Sequence, residues 1–190
     1  MDQILAVLDL IQQRLNTHLQ NLDPRTDDWV VLSNVADQEG RSIEPTKDKV
    51  ALVLTNITFD TNARNGPVAA QAERGVPIVP PALHVDLSVL VFANFSGENY
   101  RAGLQAISRA ISFFHQNPVF ALSNTLGLDP PLDTLTIEPA NLGLAELRDL
   151  VALLGVKYLP CVAYRIRTIP FGGNAEMAPA AKPRGSAAIT

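Results

Sequence analysis

The sequence is poor in the residues from which metal and redox sites are built: among 190 residues there is one cysteine, Cys161, and three histidines, His18, His84 and His115. A lone cysteine excludes an internal disulfide and every motif that needs a cysteine pair. It is expected to be a small buried apolar residue rather than a reactive thiol. No HExxH, HxH or cysteine–histidine spacing gathers metal ligands, so no metal and no other cofactor is expected. No glycine-rich phosphate loop follows a strand-like run, which removes the usual signal of a nucleotide site. Apolar runs are short: none approaches the roughly 18 residues of a membrane span, and the first residues lack the basic region of a signal peptide. The expectation is a chain with no membrane span that is assembled in the cytoplasm.

Charge is scarce too, at 18% of residues against 47% hydrophobic, a balance that fits a folded body of one domain. It is unevenly spread. Residues 1–150 hold ten of the basic and eighteen of the acidic groups, while residues 151–190 hold Lys157, Arg165, Arg167, Lys182 and Arg184 against Glu176 alone. Five dispersed cations without interleaved aromatics make a poor nucleic-acid footprint, and no nucleic-acid partner is expected. A basic end that meets an acidic surface on a neighbouring copy suits them better, and these five residues are the candidate interface set.

Periodicity supplies the elements. DQILAVLDLIQQRLNTHLQNL places Ile4, Leu8, Ile11, Leu15, Leu19 and Leu22 at helical steps, with Asp2 as N-cap and Asp23-Pro24 as the stop. WVVLSNV and KVALVLTNITFD read as strands joined by the loop DQEGRSIEPTKD. Residues 61–81, with four prolines and no apolar face, read as a long arm. HVDLSVLVFANF is a strand, and SGENYRAGLQAISRAISFFHQN is a helix capped by Ser96, with the stripe Tyr100, Leu104, Ile107, Ile111 and Phe114. After a looped passage, TLTIEPAN is a strand and LGLAELRDLVALLG a helix with Gly155 at C′. CVAYRIRTI is a strand that alternates Val162, Tyr164, Ile166 and Thr168 against Ala163, Arg165, Arg167 and Ile169. The resulting order, α-β-β-β-α-β-α-β, implies an α/β (α+β) fold with helices packed on a single mixed β-sheet. Residues 1–170 are expected to form the domain, and 171–190 have the composition of a flexible tail that contacts in an assembly would order.

His84, Asp86 and Ser88 are the three side-chain types of a hydrolytic triad on one side of one strand. Same-face neighbours on a strand stand about 6.6–7 Å apart and point in parallel, whereas a triad needs converging contacts of about 2.6–3.2 Å. The apolar row Val85, Leu87, Val89 and Val91 explains the pattern more simply, leaving the three as the polar row of a half-buried strand. No catalytic residue is assigned and the chain is not expected to be an enzyme.

The N-terminal helix, VVLSNV, KVALVLTNI, PPALHVDLSVLVFANFSGENYRAGLQAISRAISFFHQNPVF and LTIEPANLGLAELRDLVALLGVKYLPCVAYRIR together resemble the cap or tail-terminator family of extracellular contractile injection systems. The resemblance covers most of residues 1–169; the arm 61–81 and the tail after Phe171 fall outside it. It implies a phage tail-terminator-like fold and a homohexameric ring. The ring would stop the inner tube and the sheath at the end away from the baseplate, in a particle released outside the cell. Its partners would be itself, the sheath protein and the tube protein. Two other readings stay open: an adaptor that attaches the particle to an effector or a membrane, and a small hydrolase that uses Ser88 with His84.

Overall fold

The computed structural model describes residues 3–37, 39–41, 43–60, 83–95, 97–121, 134–156 and 158–171. The order is α1 (Gln3–Leu22), β1 (Val30–Leu32), β2 (Lys49–Phe59), β3 (Leu83–Asn94), α2 (Tyr100–Gln116), β4 (Val119–Ala121), β5 (Thr134–Ala140), α3 (Leu144–Leu153) and β6 (Cys161–Phe171). All the elements read from periodicity are present. β4 is added where the sequence shows only a looped passage, because three residues are too few to carry a period. Asp2, Ser96, the 61–81 arm and the tail beyond Phe171 lie outside the described residues.

The described strands make one sheet in the order β1-β2-β3-β6-β5-β4, with β1 parallel to β2 and every other neighbouring pair antiparallel. β1 is short, and besides its ladder with β2 it is tied down by side chains of α1. Asn16 Oδ1 on α1 accepts from the Trp29 and Val30 N–H groups at 2.8 and 3.1 Å, and Gln12 Nε2 donates to the Val30 carbonyl at 2.7 Å. The Arg25 guanidinium lies 4.4 Å from the Trp29 ring centroid, completing the corner between α1 and β1.

The larger core lies between the sheet and the pair α1 and α2, and takes Val50, Leu52, Val85, Leu87, Val89, Val91, Leu135, Ile137, Tyr164 and Ile166 from the strands. On α1 the expected residues Leu8, Ile11, Leu15 and Leu19 are buried, while Leu22 is exposed at the end of the helix. A smaller core on the opposite face joins Val35, Ala51, Val53, Leu90 and Phe92 to Leu150, Val151 and Leu154 of α3. Gly155 adopts φ +65° immediately after the C-cap Leu154, the left-handed C′ geometry read from the sequence.

Two expectations are corrected. The stripe Tyr100, Leu104, Ile107, Ile111 and Phe114 is not the buried face of α2: Gly103, Ala106, Ile107, Ala110, Phe113 and Phe114 are buried, and Tyr100, Leu104 and Ile111 are exposed. At 100° per residue the helix is turned by roughly 80° from the expected orientation. The cause is close approach, since small side chains let the helix sit against Phe95 and the sheet, with Phe113 and Phe114 filling the far end. The second correction is on β6. Val85 faces Ile169 but Leu87 faces Ile166, so β6 carries an extra residue, and the resulting bulge turns Ile169 into the larger core, fully buried beside Tyr164 and Ile166. The regular alternation that places Thr168 there and Ile169 opposite therefore fails.

Candidate assembly surfaces

On the α3 side, the half of the sheet beyond that helix is open and polar. Pairing aligns Asn56, Ser88, Arg165 and Glu138 in one row across β2, β3, β6 and β5. A second bulge, at Thr55 of β2, sets this register, and the Thr55 hydroxyl donates to the Ser88 carbonyl at 3.0 Å. Thr58 and Asp86 form the next pair outward. Along this side β1 pairs only with Val50, Ala51 and Leu52, so among the described residues the outer edge of β2 from Thr55 to Phe59 has no neighbouring strand.

His84, Asp86 and Ser88 lie side by side on this half-buried face, as the alternation predicts. They do not build a triad. Among the described residues His84 Nδ1 is buried without a hydrogen-bond partner, so the acid-to-base bond that orients a catalytic imidazole is not made there at that nitrogen. The Asp86 carboxylate instead faces Arg167, whose Nε lies 3.7 Å from Asp86 Oδ2 and whose Nη1 lies 3.5 Å from Glu138 Oε1. Arg167 therefore ties β6 to both neighbouring strands, and its charge is matched within the subunit. Arg165, also exposed, has no ion pair among the described residues. Lys157, Lys182 and Arg184, the rest of the basic set, lie outside the described residues.

Titration shifts also mark structure rather than chemistry. Burial pushes the Cys161 thiol and the Tyr164 hydroxyl up. Cys161 is half-buried at the margin of the smaller core, packing as an apolar residue although less enclosed than expected. The Arg41 backbone N–H, with further bonds from Arg41 and Glu39, holds the Asp37 carboxyl below its ordinary value; these contacts only close a turn. Among the described residues no group of three His, Cys, Asp or Glu side chains is placed to hold a metal, and no helix is long and apolar enough to cross a membrane.

Two apolar surfaces are not evident from the sequence pattern. Tyr100, Leu104 and Ile111 form an exposed ridge along α2, which periodicity assigns to the core because the three share a helical stripe with Ile107. Leu144 and Tyr158 flank a groove on the opposite face that is also lined by Leu147, Val151 and Ala152. The run Gly103, Ala106, Ala110 is the one sequence signal that α2 turns its small side inward.

The described residues form a single-sheet α/β scaffold with exposed apolar side chains on both faces. The chain belongs to the Pvc16 N-terminal domain family, whose model matches residues 6–182. This membership agrees with the resemblance to contractile-injection-system caps drawn from the motifs. Among solved structures, the chain is similar to one described as the PVC sheath/tube terminator in the extended state, from a cryo-EM structure of an extracellular contractile injection system. That match has 13% identity and a TM-score of 0.48, and covers 94% of this chain and 63% of the other. The chain thus matches less than two thirds of that structure's length. Comparison with curated proteins gives no match.

Proposed function

We propose that this chain is the cap of a contractile injection system, a subunit of a ring that ends polymerisation of the inner tube, the sheath or both at the end distal to the baseplate. The observation that carries this reading is the family match across residues 6–182. The ring is six-fold, as the resemblance implies, with sheath and tube proteins as its neighbours. A polymer of identical subunits adds indefinitely until its end is occupied by a subunit that accepts one contact and withholds the next. The outer edge of β2, which has no neighbouring strand among the described residues, supports this role because an exposed edge accepts a strand from a neighbour, and so does the exposed Arg165, which has no ion pair among those residues.

Electron microscopy of particles from a strain lacking the chain tests the proposal. The expected result is sheaths and tubes of irregular length, or tubes and sheaths that fail to end together, with normal lengths restored by the intact chain. Uniform particles of normal length would overturn it. Normal particles that have lost their cargo or their attachment would favour the adaptor reading instead.

A further inference from the structure

The far end of β2 is left uncovered on its outer side. The first half of the strand is buried, but Asn56, Ile57, Thr58 and Phe59 are all exposed. Ile57 faces Leu87 and Phe59 faces Val85 across the ladder with β3, and both of these partners are buried in the larger core. Ile57 and Phe59 share that face of the sheet yet are 40% and 62% exposed, since among the described residues no strand lies beyond them. The Ile57 N–H donates to the side-chain oxygen of its own neighbour Asn56 at 2.9 Å, a bond that the carbonyl of an added strand can replace. An open edge of this kind attracts any extended segment, and folded proteins usually cover it.

Topology brings one segment of the chain to this place. β2 and β6 both pair antiparallel with β3, so they run in the same direction, and Phe171 at the end of β6 lies at the same end of the sheet as Phe59. A chain that leaves Phe171 and folds back along the outside of β2 therefore runs antiparallel to it. The position beyond β2 is three strand spacings from β6, about 14 Å. Residues 172–185, as a flexible linker, span about 20 Å and cover that distance without being stretched. They include Pro179 and Pro183, which suit a connection, and end at Gly185; the following SAAIT, 186–190, is free of proline and as long as the open edge 55–59. Its alternation puts Ala187 and Ile189 on one side, which fits the apolar face of Ile57 and Phe59. Lys182 and Arg184 just before it would arrive at the end of the sheet that carries Asp60 and Asp86.

We propose that residues 186–190 pair antiparallel with the outer edge of β2 in the same subunit, with Ile189 beside Ile57 and Ala187 beside Phe59. A tethered segment meets the edge at an effective concentration in the millimolar range, far above that of a second copy in dilute solution, so the contact forms within the chain. It guards the edge in the free subunit. Its consequence for assembly rests on the cap reading above: a strand from the sheath or from a neighbouring subunit must displace the tail, so the edge opens only where such a strand is presented.

The test compares the full chain with a variant lacking residues 186–190, with matching circular dichroism as the control for fold. Hydrogen exchange of the 55–59 amides is expected to be at least about tenfold faster in the shortened chain. In a Cys161→Ser background, Ile57→Cys combined with Ile189→Cys is expected to form a disulfide within one chain on gentle oxidation, independent of dilution and identified by mass spectrometry. Unprotected 55–59 amides in the full chain would overturn the contact. Protection that survives removal of 186–190 would assign the edge to another segment, such as 61–81, and overturn it too. A 57–189 disulfide between two chains would show tails exchanged between copies and overturn the contact within the subunit. Removal of 186–190 is also expected to tighten binding of purified sheath protein by at least about threefold, because more of the free chain then has its edge open; weaker binding would make the tail a ligand rather than a guard and overturn the proposal. Failure of both chains to bind sheath protein would count against the cap reading, while exchange and crosslinking would still decide the tail contact.

Discussion

A β-carbon built on Gly103 would lie 2.8 Å from the β-carbon of Phe95, nearer than two such atoms approach in folded proteins. α2 therefore crosses the end of β3 at a separation that only glycine permits. This contact selects which face of α2 meets the sheet, and through it decides that Tyr100, Leu104 and Ile111 face outward.

Gly103→Ala tests that point, because helix propensity and packing act in opposite directions. In an open helix the change stabilises by roughly 0.5–1 kcal/mol. Here overpacking against Phe95 costs about 1–3 kcal/mol, so the net effect is expected to be destabilising. Chemical denaturation measures it; a variant more stable than wild type would show that α2 is not in contact with Phe95.

Ile107 and Ile111 occupy the same stripe in the sequence but different environments in the fold, 9% and 45% exposed. Ile107→Asp introduces a charge into the larger core and is expected to cost several kcal/mol, enough to prevent folding. Ile111→Asp is expected to change stability by less than about 1 kcal/mol. Comparable thermal melts for the two variants would return the stripe to the core.

Arg165 and Arg167 are adjacent on one strand face and are expected to separate by function. Arg167→Ala removes the bridges to Asp86 and Glu138, and the loss should be small, within about 1 kcal/mol, because these groups are partly solvated. Arg165→Ala should leave the monomer's stability unchanged within about 0.5 kcal/mol and weaken binding to sheath protein, with the difference fading as salt rises. Light scattering of mixtures across a salt series is the measurement. A binding defect confined to Arg167→Ala would reverse the assignment.

Cys161 should behave as packing. Burial holds its thiol above the ordinary value, so less thiolate is present at about pH 8 in the folded chain than in the unfolded one. Labelling by an aromatic disulfide reagent is expected to be at least about tenfold slower in native protein than in denaturant, as judged from the liberated thiol chromophore. Equal rates would place the sulfur on open surface.

Much of this architecture is legible in the order of residues alone. KVALVLTNITF and LHVDLSVLVFAN declare themselves as strands through β-branched alternation, and Gly155 marks the end of α3 because the left-handed C′ position favours glycine. Spacing by itself makes His84, Asp86 and Ser88 a polar face. The basic pair is only half legible: alternation exposes both arginines, but the partners of Arg167 sit on strands 29 and 81 residues away in the chain.

Local order follows from backbone geometry, since a repeat of about 3.6 or 2 residues is a property of a single segment and is written within it. Contacts between segments follow from fit. Whether α2 turns its large or its small residues inward depends on Phe95 at the end of another element. Whether Ile169 reaches the core depends on a bulge defined by its pairing with Val85 and Leu87. Those choices arise where separate parts of the chain meet, and they leave the ridge on one face and the groove on the other.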